Sequence, residues 1–452
     1  MNIIIVGCGK VGLTLAEQLC QEGHAVTLVD TDLERLEAAV NSMDVQAVSG
    51  NCTSHQTLLE AGVEDADLLI AVTDRDEINM LSCLIGKKVG GCQTMARVRD
   101  PGYYEEIKVI GEELGLSMAI NPEWAAAQDI FRLLQIPSAL DVDTFDKGKV
   151  NMIRFLVEEG SPLNGKKMME LGGLLDGKML VCIRERDGEV MIPGGQTDLR
   201  IGDKVSVVMP MAEIGKLMHK LRLQKRPIHS VTIAGGGNTS VYLSGMLLRA
   251  GMQVKIIETS QQRCEELADA LPKATVIHGD STDKQLLMEE GLPSAEAFVA
   301  LTSLDEENIM LALYADKVSQ AKVITKISRI DFEEVISGLP LGSVIYPKNI
   351  TAENIVRYVR AMENASGNNV ETLYRLLDGR VEALEFVVHE TAGGVIGVPL
   401  KELKLKRNLI VCSINRGGRI ITPTGTDCLE EGDVVIIVTT QKGISDLQDI
   451  ME

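Results

Sequence analysis

This 452-residue chain is written twice. The segment Asn2–Gly102 aligns with Val231–Phe332: VDTDLERLEAA answers IETSQQRCEEL, and VSGNCTSHQTLLEAG answers IHGDSTDKQLLMEEG. LLIAVTDRDEINMLSC then answers AFVALTSLDEENIMLA, and TMARVRD answers VITKISR. The match runs on, with INPEWAAAQDIFRLL answering IYPKNITAENIVRYV and LVCIRERDGEVMIPGGQTDLRIGDKVSVV answering LIVCSINRGGRIITPTGTDCLEEGDVVIIV. A unit this long is too large for a solenoid repeat. It is a duplicated two-domain module, in keeping with the roughly two to four domains expected at this length.

Each larger domain alternates short β-branched runs (IIIVG, AVTLVD, VQAVSG, LLIAVT, TMARVR) with helical stretches. That alternation predicts an α/β fold, a doubly wound parallel sheet with crossover helices, present as two tandem Rossmann-like copies. Within Val11–Gln21 the apolar residues fall at 11, 13, 15, 16, 19 and 20, and Gly23 is placed to end the helix. Each smaller domain carries strands around a Gly-Asp pair (Gly202-Asp203, Gly432-Asp433) and reads as a small α+β unit. The expected order is a large domain over 1–120, a connecting helix over 121–145 and a small domain over 146–222. A second large domain over 229–345, a connecting helix over 346–372 and a small domain over 373–452 follow. Pro122 and Pro347 stand near the starts of the connecting helices. Leu221–His229, polar and with a proline, is the expected linker between halves.

The first glycine loop, GCGKVG, follows a buried strand and opens a helix, and Asp30 ends the next strand. In that context the fingerprint points to a nucleotide. Gly7 allows the tight turn, Gly9 lets backbone amides approach a pyrophosphate, and Gly12 permits close helix–strand packing. Cys8, Lys10 and Val11 complete the loop, and the helix N-terminus supplies donors for phosphate. Asp30 is placed for a ribose diol and repels a 2′-phosphate, so NAD(H) or another adenosine nucleotide such as ATP or ADP is favoured over NADP(H). Asn51 after the third strand, Thr73 and Asp74 after the fourth, and Arg97 on the fifth converge on the same crevice. For Arg97 the alternative is an ion pair with Asp74 or Asp76; for the whole loop it is a sheet that binds nothing.

The second loop, GGGNTS, keeps Gly235, Gly236 and Gly237, continues through Asn238 and Thr239, and puts Ser240 where the third glycine belongs. The Ser240 side chain is expected to hold the helix slightly off the strand. Glu258 keeps a carboxylate at the ribose position. Asp280 stands in for Asn51, Thr302 and Ser303 for Thr73 and Asp74, and Lys326 for Arg97. This is the pattern of a working second nucleotide site with a different affinity or ligand, and a buried Asp280 would add negative charge there.

A net charge of −20, from 45 basic and 65 acidic residues, argues against a nucleic-acid partner. An acidic protein still docks on basic surfaces such as the cytoplasmic loops of a membrane protein. No apolar run approaches the roughly 18 residues of a membrane span, and the opening MNIIIVGCG reads as a strand into a glycine turn. The nine cysteines are scattered without a CxxC pair, which fits reduced thiols in a cytoplasm and no metal site. Cys182 and Cys412 lie in equivalent apolar stretches and are expected in the core. None of the six histidines recurs with a carboxylate partner, and no GxSxG, Walker lysine or HExxH is present. The chain therefore offers nucleotide recognition with no catalytic residue and no enzyme activity to assign.

Taken together, the repeat, the GxGxxG…Asp opening, the GN and GD pairs after the third strands, and the VTDRDEINM and LTSLDEENIM segments resemble the TrkA family. These are peripheral cytoplasmic subunits of bacterial Trk-type potassium uptake systems, built of two tandem RCK (KTN) modules, and the resemblance covers almost the whole chain. It implies that Gly7 to Val11, Asp30, Asn51, Thr73, Asp74 and Arg97 hold one nucleotide. It implies likewise that Gly235 to Thr239, Glu258, Asp280, Thr302, Ser303 and Lys326 hold a second. It further implies a homo-oligomeric ring, a tetramer, beneath a membrane-embedded potassium-translocating subunit, with attachment to the inner face of the membrane through that partner alone. Nucleotide binding then reshapes the ring and gates potassium uptake. The competing reading, a tandem NAD-dependent oxidoreductase, explains only the glycine loops. A third, an NAD-responsive scaffold without a transporter, rests on the same residues.

Overall fold

Aliphatic runs flanked by turn residues become the parallel strands of the first repeat. In the computed structural model these are β1 (Asn2–Val6), β2 (Ala25–Asp30), β3 (Gln46–Ser49), β4 (Leu68–Ala71), β5 (Gln93–Arg97) and β6 (Met118–Ile120), alternating with α1 (Lys10–Gln21), α2 (Leu33–Ser42), α3 (His55–Glu60), α4 (Asp76–Val89), α5 (Pro101–Ile110) and α6 (Pro122–Gln135). The sheet order is β3-β2-β1-β4-β5-β6, and all its pairs are parallel. Ile3 to Val6 and Leu68 to Ala71 are completely or almost completely buried, as strands covered on both faces must be. The order reverses between β1 and β4, so the ends of these two strands frame the crevice where ligands bind in such sheets.

The smaller domain follows, with β7 (Asp141–Phe145), β8 (Val150–Leu156), α7 (Met168–Leu174), β9 (Leu180–Arg186), β10 (Glu189–Met191), β11 (Lys204–Pro210) and α8 (Ile214–Lys220). Its sheet is antiparallel in the order β10-β9-β11-β8-β7.

The second repeat builds the same pattern. Its large sheet has β12 (Ser230–Ala234), β13 (Gln253–Glu258), β14 (Thr275–His278), β15 (Ala297–Ala300), β16 (Lys322–Lys326) and β17 (Ser343–Ile345). They lie in the order β14-β13-β12-β15-β16-β17. Its helices are α9 (Asn238–Arg249), α10 (Gln261–Ala270), α11 (Lys284–Glu289), α12 (Asp305–Val318), α13 (Glu333–Ile336) and α14 (Pro347–Asn364). The last sheet has β18 (Val370–Leu376), β19 (Val381–Val387), β20 (Leu409–Arg416), β21 (Arg419–Ile421) and β22 (Val434–Thr439), ordered β18-β19-β22-β20-β21. Strand for strand, this is the arrangement of the first small sheet.

The structure describes residues 1–174, 179–210, 213–223, 226–330, 333–336, 338–364, 370–377, 379–389, 394–444 and 446–452. They fall into two units, one joining Met1–Leu134 to Ile228–Val356 and the other joining Gln135–Pro227 to Arg357–Glu452. Like therefore packs with like: both large domains share the first unit and both small domains the second. In the second unit Phe145, Met152 and Cys182 of the first repeat pack in one core with Ala383, Cys412 and Val438 of the second. Cys182 and Cys412 each sit where the ladder to the partner strand slips by one residue. Such a bulge aims an extra side chain inward, and both thiols are fully buried, as expected.

Two spans differ from expectation. The helix expected over 121–145 covers Pro122–Gln135, and Asp141–Phe145 is the edge strand β7. The helix expected over 346–372 covers Pro347–Asn364, and β18 begins at Val370. The third strand of each small sheet is tied to its Gly-Asp turn. Arg186 Nε and Nη2 donate to the two oxygens of buried Asp203 at 2.6 and 2.8 Å, and Arg416 holds Asp433 in the same way at 2.9 and 2.8 Å.

Candidate functional site

Gly7 leaves β1 with a φ of +105°, a conformation that favours glycine. Its own N–H bonds Val29 O at 2.9 Å. A Cβ added at Gly12 would lie 1.9 Å from Gly7 O, so nothing larger fits the helix against this turn. The first helical bond of α1 is Leu13 N–H to Gly9 O at 3.0 Å. The amides of Lys10, Val11 and Gly12 therefore have no acceptor within the helix, and they stand at its positive end.

Asp30 closes the loop from below. Its carboxylate accepts the Cys8 N–H at 2.5 Å and the Asp32 N–H at 3.0 Å. Glu258 does the same in the second repeat, accepting Gly236 N–H at 2.7 Å and Ser260 N–H at 2.9 Å. Burial alone would raise the pKa of Glu258, but these amides and the Thr259 hydroxyl hold it below the usual range. Each carboxylate thus sets its glycine loop while keeping lone pairs for a diol.

The fourth strands are anchored by an asparagine. Asn79, fully buried, accepts from Thr73 N–H at 2.8 Å and the Thr73 hydroxyl at 2.6 Å, and donates to Arg97 O at 2.9 Å. Asn308 bonds Thr302 N–H at 2.8 Å and Lys326 O at 3.0 Å. Sequence reading missed both; the signal was their equal place in the two VTDRDEINM-type segments. Asp76 and Asp305 play the next part, taking the backbone N–H groups of Arg99 and Asp100 and of Ser328, Arg329 and Ile330.

These elements frame a cleft of about 890 Å³. Gly7, Gly9, Lys10, Val11, Asp30, Asn51, Thr73, Asp74 and Arg97 line it, and so do Gly237, Asn238, Thr239 and Lys326 of the second repeat. One space therefore collects the first loop and the helix start of the second. Reciprocal contacts bind the two together: Lys10 Nζ donates to Arg329 O, and Asn238 Nδ2 to Arg99 O at 3.4 Å. Cys8 and Gly12 lie behind the loop, the first buried and the second against Gly7 O.

Arg97 does not pair with Asp74 or Asp76. Its Nη2 lies 3.8 Å from Glu123 on α6, and it is Arg99 that reaches Asp76, at 3.6 Å, and the Asp74 carbonyl. Burial lowers the pKa of Arg97 and of Lys326, with Glu123 opposing the shift in both. Arg97 Nε and Glu123 Oε2 are buried and have no hydrogen-bond partner among the described residues. The orphaned Arg97 donor lines the cleft and fits an anionic, hydrogen-bonding ligand, while the Glu123 oxygen beside it offers an acceptor to a hydroxyl or N–H.

Other expected site residues do local work. Asn51 Oδ1 accepts the N–H and hydroxyl of Thr53 at 3.0 and 2.8 Å, and Asp280 makes the same turn with Thr282 at 2.8 and 2.7 Å. Asp280 is exposed rather than buried, so its charge is largely screened by water. Ser303 offers its carbonyl to Arg329 Nη2 at 3.1 Å. Gly235 turns with φ +99°. Ser240, fully buried, donates its hydroxyl to Gly235 O at 2.5 Å. That bond takes the place of the bare contact at Gly12, and it requires the carbonyl to stand further from the helix.

The TrkA-N domain model matches residues 3–122 and 231–347, and the TrkA-C domain model matches 383–452. The chain is 33% identical over 450 residues to the Archaeoglobus fulgidus "Trk system potassium uptake protein TrkA homolog", covering all of both chains. It is 31% identical over 461 residues to the Haemophilus influenzae protein of the same system, covering all of this chain and 99% of that one. Among solved structures, "GsuK channel bound to NAD" superposes with a TM-score of 0.62 at 18% identity, covering 98% of this chain and 77% of that one.

Proposed function

The chain belongs to the TrkA family of Trk-system potassium uptake proteins, and from that premise we propose how it works. It is a regulatory subunit of a potassium transport system, and it acts by sensing a nucleotide between its two large domains. The observation that carries this reading is the common cleft: Gly9, Lys10 and Arg97 face it from one repeat, Asn238 and Lys326 from the other. A ligand held there touches both repeats, so its binding energy depends on how they are placed, which is the requirement for a ligand-driven change of shape.

NAD(H), ATP or ADP fits the residues present. The amides of Lys10 and Val11 would take phosphate, Asp30 the ribose hydroxyls, and Arg97 with Lys326 the remaining negative charge. The nucleotide supplies affinity and charge rather than a reaction. The second loop, with Glu258 and Asn238, holds a nucleotide of its own.

No helix among the described residues is long and apolar enough to cross a membrane. The working assembly is a ring of copies of this chain on the cytoplasmic side of a membrane-embedded potassium-translocating subunit. A tandem oxidoreductase is not favoured, because relatives matching the full length are potassium uptake proteins. The test is potassium flux through vesicles containing that subunit, with the chain added, at saturating NADH, ATP or neither. Flux that depends on the chain and differs among nucleotides supports the reading; flux indifferent to nucleotide overturns it.

A further inference from the structure

The two repeats carry the same arginine at the same place after the second strand, and the structure uses it in two ways. Arg35 is held by its own helix at the edge of the first cleft: its Nε pairs with Oδ2 of Asp32, the N-cap of α2, at 2.9 Å, and its side chain is 58% exposed. In the second repeat the N-cap is Ser260, which carries no charge to draw the arginine away. Glu266 stands where the first repeat has Ala38. Arg263 accordingly turns inward. Its Nε donates to Gly236 O at 2.8 Å, its Nη2 to Asn238 Oδ1 at 3.4 Å, and its Nη1 to Glu266 at 2.8 Å.

The guanidinium thus lies along the second glycine loop and reaches the first residue of α9. There the first helical bond is Val241 N–H to Gly237 O, which leaves the amides of Asn238 and Thr239 without helical acceptors. The Asn238 contact is long and to a neutral oxygen, and Glu266 is 48% exposed and easily replaced by water. A phosphate arriving at the helix start would exchange both for a charge-assisted, planar contact of the kind arginine makes best.

Resting on the reading that the second loop binds a nucleotide, we infer that Arg263 is its specificity-determining residue. It selects nucleoside di- and triphosphates over dinucleotides, while Arg35, which lines the first cleft with its charge paired to Asp32, does not. ATP and ADP end in a phosphate more highly charged than the diester pyrophosphate of NADH. An added cation therefore favours them by Coulomb attraction.

The test uses the full-length chain carrying Asp30→Ala, which silences the first loop, titrated calorimetrically with ATP and with NADH. Adding Arg263→Ala is expected to weaken ATP about tenfold or more, with NADH changed only about twofold. Ser260→Asp, which keeps a good N-cap and restores the competing carboxylate, is expected to weaken ATP in the same direction. Arg263→Lys, which keeps charge but not the planar fork, should fall between. An unchanged ATP-to-NADH preference in Arg263→Ala, or tighter ATP binding, overturns the inference alone. If the Asp30→Ala chain binds neither nucleotide, the second loop is no nucleotide site and the inference falls with that reading. Thermal unfolding of each variant shows whether it folds.

Discussion

The Asp30 carboxylate and the Cys8 backbone N–H are 2.5 Å apart, so the residue read as a ribose ligand also fixes the shape of the glycine loop. Asp30→Ala removes both roles at once. It is expected to abolish measurable nucleotide binding at the first loop and to lower stability by about 1–2 kcal/mol. Asp30→Asn, which keeps an acceptor oxygen, should recover most of the stability but not the affinity. Chemical denaturation alongside binding separates the two.

Gly12 and Ser240 occupy the same place in the two repeats and should respond unequally to substitution. A Cβ at Gly12 meets Gly7 O at 1.9 Å, so Gly12→Ala is expected to cost about 3 kcal/mol or distort the first loop beyond use. Ser240→Gly loses only the hydroxyl bond to Gly235 O and should cost about 1 kcal/mol. Thermal unfolding of the two variants checks the contrast; equal losses would show that the two loops pack alike.

Acid should loosen the structure through carboxylates held by donors. Burial alone would raise the pKa of Asp203, but Arg186 and the Arg200 N–H hold it below the usual range, as the loop amides do for Glu258. A pKa lower in the folded than in the unfolded state contributes stability at neutral pH. That contribution is lost as pH falls below about 4 toward the folded value. Asp203→Asn, which takes from Arg186 its bidentate carboxylate and leaves it only Asp198, is expected to cost about 3 kcal/mol at pH 7 and to flatten the stability loss on acidification. A variant whose stability falls as steeply with acid as the parent's contradicts this assignment.

The cysteines should sort by burial. Burial, with Asp30 nearby, pushes the Cys8 thiol up to about 12, and burial raises Cys83 further. Cys412 is raised by burial and by the neighbouring Cys182 thiol. Thiols held protonated and covered are poor nucleophiles. Pulsed alkylation read by mass spectrometry is expected to label the half-buried Cys428 before Cys8, Cys83, Cys182 or Cys412. Early labelling of Cys182 or Cys412 would mean that the shared core of the small domains opens readily.

The duplication, the parallel sheets and the first loop were legible because each is a local pattern: aliphatic runs of strand length, glycines at fixed spacing, a carboxylate at a strand end. Met118–Ile120 and Ser343–Ile345 were missed as strands, being only three residues long and lacking a periodicity to read. β7 was hidden in the same way, because DVDTF follows a helix directly and alternates polar with apolar residues only briefly. The partner of Arg97 was not legible at all. Glu123 lies on another element, and only the fold decides that it, rather than Asp74 or Asp76, stands nearby. The turn of Arg263 toward its loop depends on two substitutions, Asp32 to Ser260 and Ala38 to Glu266. Their effect appears only once the helix places those three residues on one face.

The most direct test of the account is the stoichiometry of nucleotide binding, read by titration calorimetry of the full chain with NADH and then ATP. The account predicts two binding events per chain with different ligand preferences, of which Asp30→Ala removes one. No binding, or a single event that survives Asp30→Ala, would contradict it.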